Sequence, residues 1–212
     1  MIAAYKHFIK KNSSLRKRAE QVYMWPNDRP NWEFRYLSFS IISEIWQNWG
    51  SFCRSTILVS CNGTRTRTGT LIPKRPGMNS WQRIAYEALQ AARHRPVNPG
   101  RIISFRRHEP TWGDQNVLVR AIPVLSPANS ADLLAAFGLP FYAPKHLQTV
   151  RNACAHMDAE TMSEVRRLAL YYSGHSLSHP TDILWWIEPN SRTDALFVWL
   201  DELEIMASSA TT

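Results

Sequence analysis

The longest regular pattern of apolar residues lies in residues 36–62, where hydrophobic side chains recur every three or four positions. These side chains are Ile42, Ile45, Trp46, Trp49, Phe52, Cys53 and Ile57. The positions between them include the polar residues Glu44, Gln47, Asn48, Ser51 and Arg54. This spacing is typical of an amphipathic helix with one apolar face. Because Asn62 and Gly63 favour a helix end, we expect one long helix that stops there.

Similar but shorter patterns follow along the chain. Residues 80–95 carry apolar side chains on one helical side, and capping residues predict further helices over about 130–138, 144–157, 158–174, 180–187 and 192–206. The first 35 residues are basic and contain a helix-breaking segment around Pro26 and Pro30, so we expect an N-terminal arm. Residues 96–126 are rich in proline and predict an irregular insert with short β-rich pieces at 101–105 and 117–123. The predicted fold is mainly α, with about five or six helices in one domain over residues 36–212.

Charge is distributed unevenly over the 212 residues. The chain has 25 Lys and Arg against 17 Asp and Glu, a formal net charge of +8. Residues 1–120 hold 20 of these basic residues and only 7 of the acidic ones. A segregated positive field attracts polyanions, of which nucleic acid is the commonest. Phosphate contacts are therefore predicted for the basic residues of the loops, which are Arg65, Arg67, Lys74, Arg75, Arg106 and Arg107.

Composition excludes several other classes of protein. No apolar run approaches the ~20 residues of a membrane span, and the first residues lack the apolar core of a signal peptide. Three cysteines without CxxC spacing argue against a disulfide framework and a Cys-rich zinc site. We therefore expect a cytoplasmic protein that does not bind membranes. Because the chain also lacks P-loop, GxGxxG, HExxH and GxSxG motifs, no cofactor or metal is predicted.

The most informative segment for chemistry is residues 147–156, Leu-Gln-Thr-Val-Arg-Asn-Ala-Cys-Ala-His. On the helix predicted here, the apolar stripe consists of Leu147, Val150, Cys154 and Met157. Gln148, Asn152 and His156 share the opposite face because each lies four residues from the next. Arg151 lies at the border, and its long side chain can reach the polar face. An arginine, an amide and an imidazole are thus predicted to meet on one exposed patch.

These residue types suit metal-free cleavage of RNA, in which the 2′-hydroxyl attacks the neighbouring phosphorus. Imidazole can serve as base or acid near neutral pH, so His156 is the candidate for proton transfer. The guanidinium of Arg151 matches the phosphate and its developing charge. Asn152 can orient the imidazole or bind the phosphate. On the polar face of the first long helix, Glu44 and Arg54 are possible supporting residues.

The sequence Arg151-Asn152-x-x-x-His156 resembles the Arg–x4–6–His motif of the HEPN superfamily, in which Asn often follows the Arg. The resemblance covers residues 36–206 and implies a HEPN-like helical bundle. It also implies a metal-independent endoribonuclease that leaves a 2′,3′-cyclic phosphate, with Arg151, Asn152 and His156 as its catalytic residues. Related nucleases pair two domains around one cleft, so a homodimer with a composite active site is expected. Small proteins of this type resemble toxins of toxin–antitoxin pairs or effectors of antiviral defence.

One position departs from the pattern of those HEPN toxins that are silenced by a nucleotidyltransferase. They carry a Tyr two residues after the motif His, whereas this chain has Asp158. Control by nucleotidylation of that Tyr is therefore not expected, and restraint by an antitoxin, another regulatory protein or the assembly state is favoured instead.

Two other interpretations of the sequence remain. The first is a non-catalytic HEPN-like or other helical module for RNA binding or assembly, and the second is a purely structural helical dimer. His175 and His179 have a spacing that metal ligands also use, but no nearby Cys, Asp or Glu before Asp182 completes a site, so a solvent-facing loop pair is expected. Cys154 is expected in the core rather than as a nucleophile.

Overall fold

The chain folds mainly into α-helices, which confirms the predicted class. The computed structural model describes residues 1–24, 31–77, 80–174 and 176–212. Its helices are α1 Ile2–Tyr23, α2 Asn31–Asn62, α3 Trp81–Ala92, α4 Gln115–Leu125, α5 Ser130–Phe137, α6 Ala143–Ala155, α7 Ala159–Arg167 and α8 Ala195–Ser209. Short 3-10 helices occur at Arg106–His108, Leu168–Leu170 and Pro180–Trp185. Two antiparallel hairpins pair β1 Thr64–Arg65 with β2 Leu71–Ile72, and β3 Ile187–Glu188 with β4 Thr193–Asp194.

The long helix α2 follows the predicted apolar stripe except at Trp46, which is half-buried, and Asn48, which lies on the predicted polar face but is buried. The side chains of Ile42, Ile45, Trp49, Phe52, Cys53 and Ile57 are all buried. The helix ends at Asn62 as predicted, and Gly63 adopts a positive φ of 85°. It begins at Asn31, five residues before the expected start, so its first turns belong to the segment that was predicted to be an arm.

Helix α1 corrects the prediction of an N-terminal arm. Phe8, Leu15, Ala19 and Val22 are buried at helical spacing, and they give the helix an apolar face. Its basic residues lie on the other side, where Lys11 pairs with Glu44 and Arg16 pairs with Asp201. The predicted break at residues 25–30 lies outside the described residues. The basic run is thus the solvent-facing side of a packed helix.

Contacts between residues divide the chain into two compact units. The first unit contains Met1–Phe8, Trp49–Pro140 and Ile205–Thr212, and the second contains Ile9–Asn48 and Phe141–Glu204. In the first unit, α3 packs against α4 and α4 packs against α5. Trp49 is fully buried, contacts the rings of Phe8, Phe52 and Phe137, and donates from its indole Nε1 to the Gly113 carbonyl at 3.0 Å.

The predicted irregular insert, residues 96–126, is irregular only in its first part. Its second part is helix α4, which contains residues 117–123, predicted as β-rich. Asp114 caps this helix by accepting from the backbone N–H of Asn116 at 2.9 Å. Leu118, Ala121, Ile122 and Leu125 are buried at helical spacing, so burial of this face outweighs the β-propensity of the valines.

In the second unit, α6 packs against α7 and against the 3-10 helix Pro180–Trp185. The predicted helix over 158–174 is shorter, because α7 ends at Arg167 and a 3-10 turn follows. The hairpin of β3 and β4 was not predicted, and it leads directly into α8. Asn12 of α1 is buried and donates to the Leu200 carbonyl at 3.3 Å and to the Glu204 carboxylate at 2.7 Å. Among the described residues, no helix is both long and apolar enough to cross a membrane.

Candidate active site

Helix α6 carries the first two residues of the predicted catalytic group. Its buried residues include His146, Leu147, Val150 and Ala153, which recur every three or four positions and fix the orientation of the helix. Arg151 and Asn152 follow the buried Val150 and are half-buried. The guanidinium of Arg151 donates from Nη1 to the Asn152 amide oxygen at 3.2 Å. The side chains of Arg151 and Asn152 therefore lie in direct contact.

His156, the third predicted residue, lies just beyond the end of α6. Its backbone has φ −139° and ψ 71°, so it has left the helix, although its N–H still donates to the Asn152 carbonyl at 2.8 Å. Its carbonyl accepts from the hydroxyl of Thr161 in α7 at 2.7 Å. The His156 backbone is thus held from both sides while its side chain is exposed to solvent.

The predicted apolar stripe of this segment is wrong at its C-terminal end. Met157 was predicted to be buried, but it is 54% exposed because the helix has already ended. Ala153 is buried instead, and Cys154 is half-buried. Burial raises the pKa of the Cys154 thiol to about 12, which makes it a poor nucleophile, in agreement with a packing role.

Asp158 begins the helix that follows the site. Its carboxylate accepts the backbone N–H of Thr161 at 2.8 Å, and the Thr161 hydroxyl accepts the Asp158 N–H at 3.1 Å, which is a reciprocal cap of α7. Hydrogen bonds from Thr161 lower the pKa of this carboxyl group, and the neighbouring His156 adds a smaller electrostatic contribution. A carboxylate therefore lies near the exposed imidazole.

The two predicted supporting residues have other partners. Glu44 pairs with Lys11 and Arg18, and the hydrogen bond from Lys11 is the main cause of the lowered pKa of Glu44. Arg54 donates from Nε and Nη2 to the two carboxylate oxygens of Glu109 at 2.6 and 2.7 Å. Both side chains therefore take part in ion pairs with residues other than Arg151, Asn152 and His156.

The predicted phosphate-binding residues divide into two groups. Arg67 is engaged by Ser208, by Thr212 and by the Tyr5 ring, and Arg75 pairs with the buried Glu87. Arg65 is exposed, but it donates to the Gly69 carbonyl at 3.0 Å. The others, Lys74, Arg106 and Arg107, are exposed and form no ion pair within the described part of the chain.

Phe105 is a candidate RNA-contacting residue that the sequence analysis missed. Its ring is 57% exposed, and the Arg107 guanidinium lies over it at 5.1 Å from the centroid. The ring of His108 approaches it edge-on at 5.7 Å. Exposed aromatic rings beside arginines are suited to stacking on unpaired bases. The signal in the sequence was the adjacency of Phe105 to Arg106 and Arg107.

His146, a buried histidine one turn from the start of α6, was also missed. It is 2% exposed, and its Nδ1 shares a hydrogen bond of 2.8 Å with the Tyr172 hydroxyl. That hydroxyl accepts from the indole Nε1 of Trp199 at 2.7 Å. Burial, with a smaller contribution from Lys145, lowers the pKa of His146 to about 4. The imidazole is therefore neutral near pH 7.

We expect this buried imidazole to make the stability of the protein depend on pH. The unfolded state protonates His146 near pH 6.5, whereas the folded state does so only near 4. Because the unfolded state binds the proton more readily, the free energy of unfolding should fall as the pH drops from about 6.5 toward 4. The slope contributed by this group is at most about 1.4 kcal/mol per pH unit.

Urea denaturation of wild type and His146→Gln across this pH range measures that slope. The variant should have a lower free energy of unfolding than wild type at pH 7. The difference between the two free energies should become smaller as the pH falls toward 4. His7→Gln, at an exposed position of α1, is the matched control and should follow wild type. If the free energy of unfolding changed with pH in the same way for wild type and His146→Gln, His146 would not be the group that causes the pH dependence.

His175 and His179 have a spacing that metal ligands also use, but they are expected to form no metal site. His175 lies outside the described residues, and His179 caps a 3-10 helix, with its Nδ1 2.7 Å from the Thr181 hydroxyl oxygen. Within the described ranges, no three His, Cys, Asp or Glu side chains lie close enough together to hold a metal ion.

Comparison with known proteins assigns the chain to no family. No family model, curated protein sequence or solved structure matches it. The HEPN resemblance therefore rests on residues 151–156 and their placement at the end of a late helix, and it remains a prediction.

Proposed function

We propose that the chain is a metal-independent endoribonuclease of the HEPN type. One observation carries this proposal: the Arg151 guanidinium contacts the Asn152 amide at 3.2 Å, and the exposed His156 follows at the end of the same helix. One short segment therefore carries a guanidinium, an amide and an exposed imidazole. These groups can bind a phosphate diester and transfer protons.

The proposed reaction needs no group beyond these and a second proton-transfer residue. A base removes the proton from the 2′-hydroxyl, whose oxygen attacks the phosphorus. The bond to the 5′-oxygen then breaks, and an acid supplies the proton that this oxygen needs as it leaves. The products are a 2′,3′-cyclic phosphate and a 5′-hydroxyl. Because each chain supplies one motif histidine, we propose that a second copy contributes the other in a homodimer with a composite site.

The test is RNA cleavage by the purified protein in EDTA, with the new ends identified by mass spectrometry. We expect 2′,3′-cyclic phosphate ends and loss of cleavage in His156→Ala. Cleavage that requires a divalent metal, or that leaves 5′-phosphates, would contradict the proposed mechanism. Cleavage retained by His156→Ala would exclude this histidine from the site.

The proposal extends to biological role. We propose a toxin or antiviral-defence effector that acts on RNA in the cytoplasm. Since Asp158 occupies the position of the modified Tyr and caps α7, restraint by an antitoxin or another protein partner is favoured over nucleotidylation.

A second candidate function is RNA binding without cleavage. The observation in its favour is the exposed cluster of Phe105, Arg106 and Arg107, which combines an aromatic ring with two arginines free of ion pairs within the described residues. Binding without cleavage by the wild-type protein would favour this candidate.

Affinity for single-stranded RNA should then depend on salt through these arginines. Replacing Arg106 and Arg107 with alanine is expected to reduce the slope of log K against log salt by about 1.4, since each phosphate contact to a single strand contributes about 0.7. Fluorescence anisotropy with a labelled RNA at several salt concentrations measures this slope. The matched control replaces Arg166 and Arg167, an exposed adjacent pair in α7. An equal change in the control would show that net charge, rather than this cluster, determines binding.

A further inference from the structure

A pocket in the second unit is lined by residues that the proposed RNA chemistry does not use. Its volume is about 490 Å³, and its walls include Tyr142, Tyr171, Tyr172, Glu188 and Glu202. Among the described residues, the lining contains no lysine, arginine or histidine. In a chain with a net charge of +8, this pocket combines aromatic rings with two acidic groups.

The tyrosine rings that line the pocket pack against a buried histidine. The rings of Tyr142 and Tyr171 have centroids 4.7 Å apart and planes inclined at 52°. Both pack against the buried ring of His146, at 5.2 and 4.8 Å. The two tyrosines are nevertheless 48% and 38% exposed. Two partly exposed tyrosine rings therefore line the pocket, where they can attract a cation.

The acidic wall consists of two fixed carboxylates. Glu202 accepts the backbone N–H of Ala143 at 2.7 Å, and Glu188 accepts from the backbone N–H of Ser191 and the Asn190 amide at 2.6 and 2.9 Å. Neither forms an ion pair with any residue of the described segments. Burial and the nearby Glu188 raise the pKa of Glu202. Within the described residues, neither acid is therefore neutralised by an ion pair.

We propose that this pocket binds a guanidinium group, from an arginine of a partner polypeptide or from a free guanidino compound. A guanidinium is flat enough to stack on the tyrosine rings and presents paired N–H donors to a carboxylate. An ammonium group can be attracted to the same walls, but it has no plane to stack. This site does not depend on RNA cleavage, so either proposal can fail without the other.

Titration with three small probes tests the chemistry of the site. L-argininamide should bind and perturb the tyrosine signals in NMR spectra. L-citrullinamide, in which a neutral ureido group replaces the guanidinium, and L-lysinamide should each bind at least tenfold more weakly. Equal binding of citrullinamide or lysinamide would overturn the assignment, as would no detectable binding of argininamide. A capped Gly-Arg-Gly peptide distinguishes the two sources: tighter binding than argininamide indicates a polypeptide ligand, and weaker binding indicates a free compound.

Variants test whether these walls form the site. Glu188→Gln keeps an acceptor for the turn but removes the charge, and Tyr171→Leu removes an exposed ring without altering either acid. Each should weaken argininamide binding at least fivefold. Glu164→Gln removes an exposed charge from α7 and should bind as wild type does. Unchanged binding in both pocket variants, with folding verified by circular dichroism, would place the ligand elsewhere and refute the proposal.

Discussion

Replacing His156 with alanine is expected to slow RNA cleavage in EDTA by about 10²- to 10⁴-fold, the usual contribution of a positioned proton-transfer group. The fold should be unaffected, because the hydrogen bonds of His156 to Asn152 and Thr161 use its backbone N–H and carbonyl, which alanine retains. The free energy of unfolding should therefore stay within about 0.5 kcal/mol of wild type. Initial rates on one labelled RNA and urea denaturation of the same samples measure both quantities.

Two further variants define what this result means. Arg151→Ala should also slow cleavage, by about 10²- to 10³-fold, if the guanidinium stabilises charge on the phosphorus centre. His7→Ala removes an exposed histidine from α1 and should leave the rate unchanged. A rate in His156→Ala equal to that of wild type would remove the catalytic assignment, and an equal loss in His7→Ala would point to a contaminating nuclease or a general defect.

Local periodicity was sufficient to predict the helices with strong apolar stripes. Helix α2 ends where Asn62 and Gly63 indicated, and α6 lies within two residues of the predicted segment 144–157. The departure at His156 arises from the cap. Asp158 and Thr161 cap α7 so close to the end of α6 that α6 must end before Met157. The spacing of apolar residues within α6 alone does not show that a second helix begins there.

Pairings between distant residues could not be predicted. Glu44 and Arg54 lie on the predicted polar face of α2, but their partners Lys11 and Glu109 are 33 and 55 positions away in the sequence. The burial of His146 has a similar cause. The residue lies on the apolar face of α6, but only the fold brings Tyr172 and Trp199 to its ring. The catalytic role of Arg151, Asn152 and His156 therefore stays a prediction, whereas the aromatic cluster around His146 could not be predicted from the sequence.

Helix α1 was missed because basic residues are interleaved with its apolar ones. Its buried positions are Phe8, Leu15, Ala19 and Val22, and they are separated by enough lysine and arginine to resemble a basic arm. A helix on this pattern has little tendency to form alone, and packing of its apolar face supplies the stability. The structure therefore makes α1 an integral part of the fold rather than an appendage.

A substitution inside α1 tests this difference. Leu15 is fully buried, so Leu15→Ala should lower the free energy of unfolding by about 2–5 kcal/mol, as expected when a buried leucine leaves a cavity. Lys17→Ala, two residues later at an exposed position, should change it by less than about 0.5 kcal/mol. Urea denaturation followed by circular dichroism measures both. If residues 1–35 were a mobile basic arm, both substitutions would change the free energy of unfolding by small and similar amounts. A packed helix must instead lose much more stability in Leu15→Ala than in Lys17→Ala, because only the Leu15 side chain is removed from water.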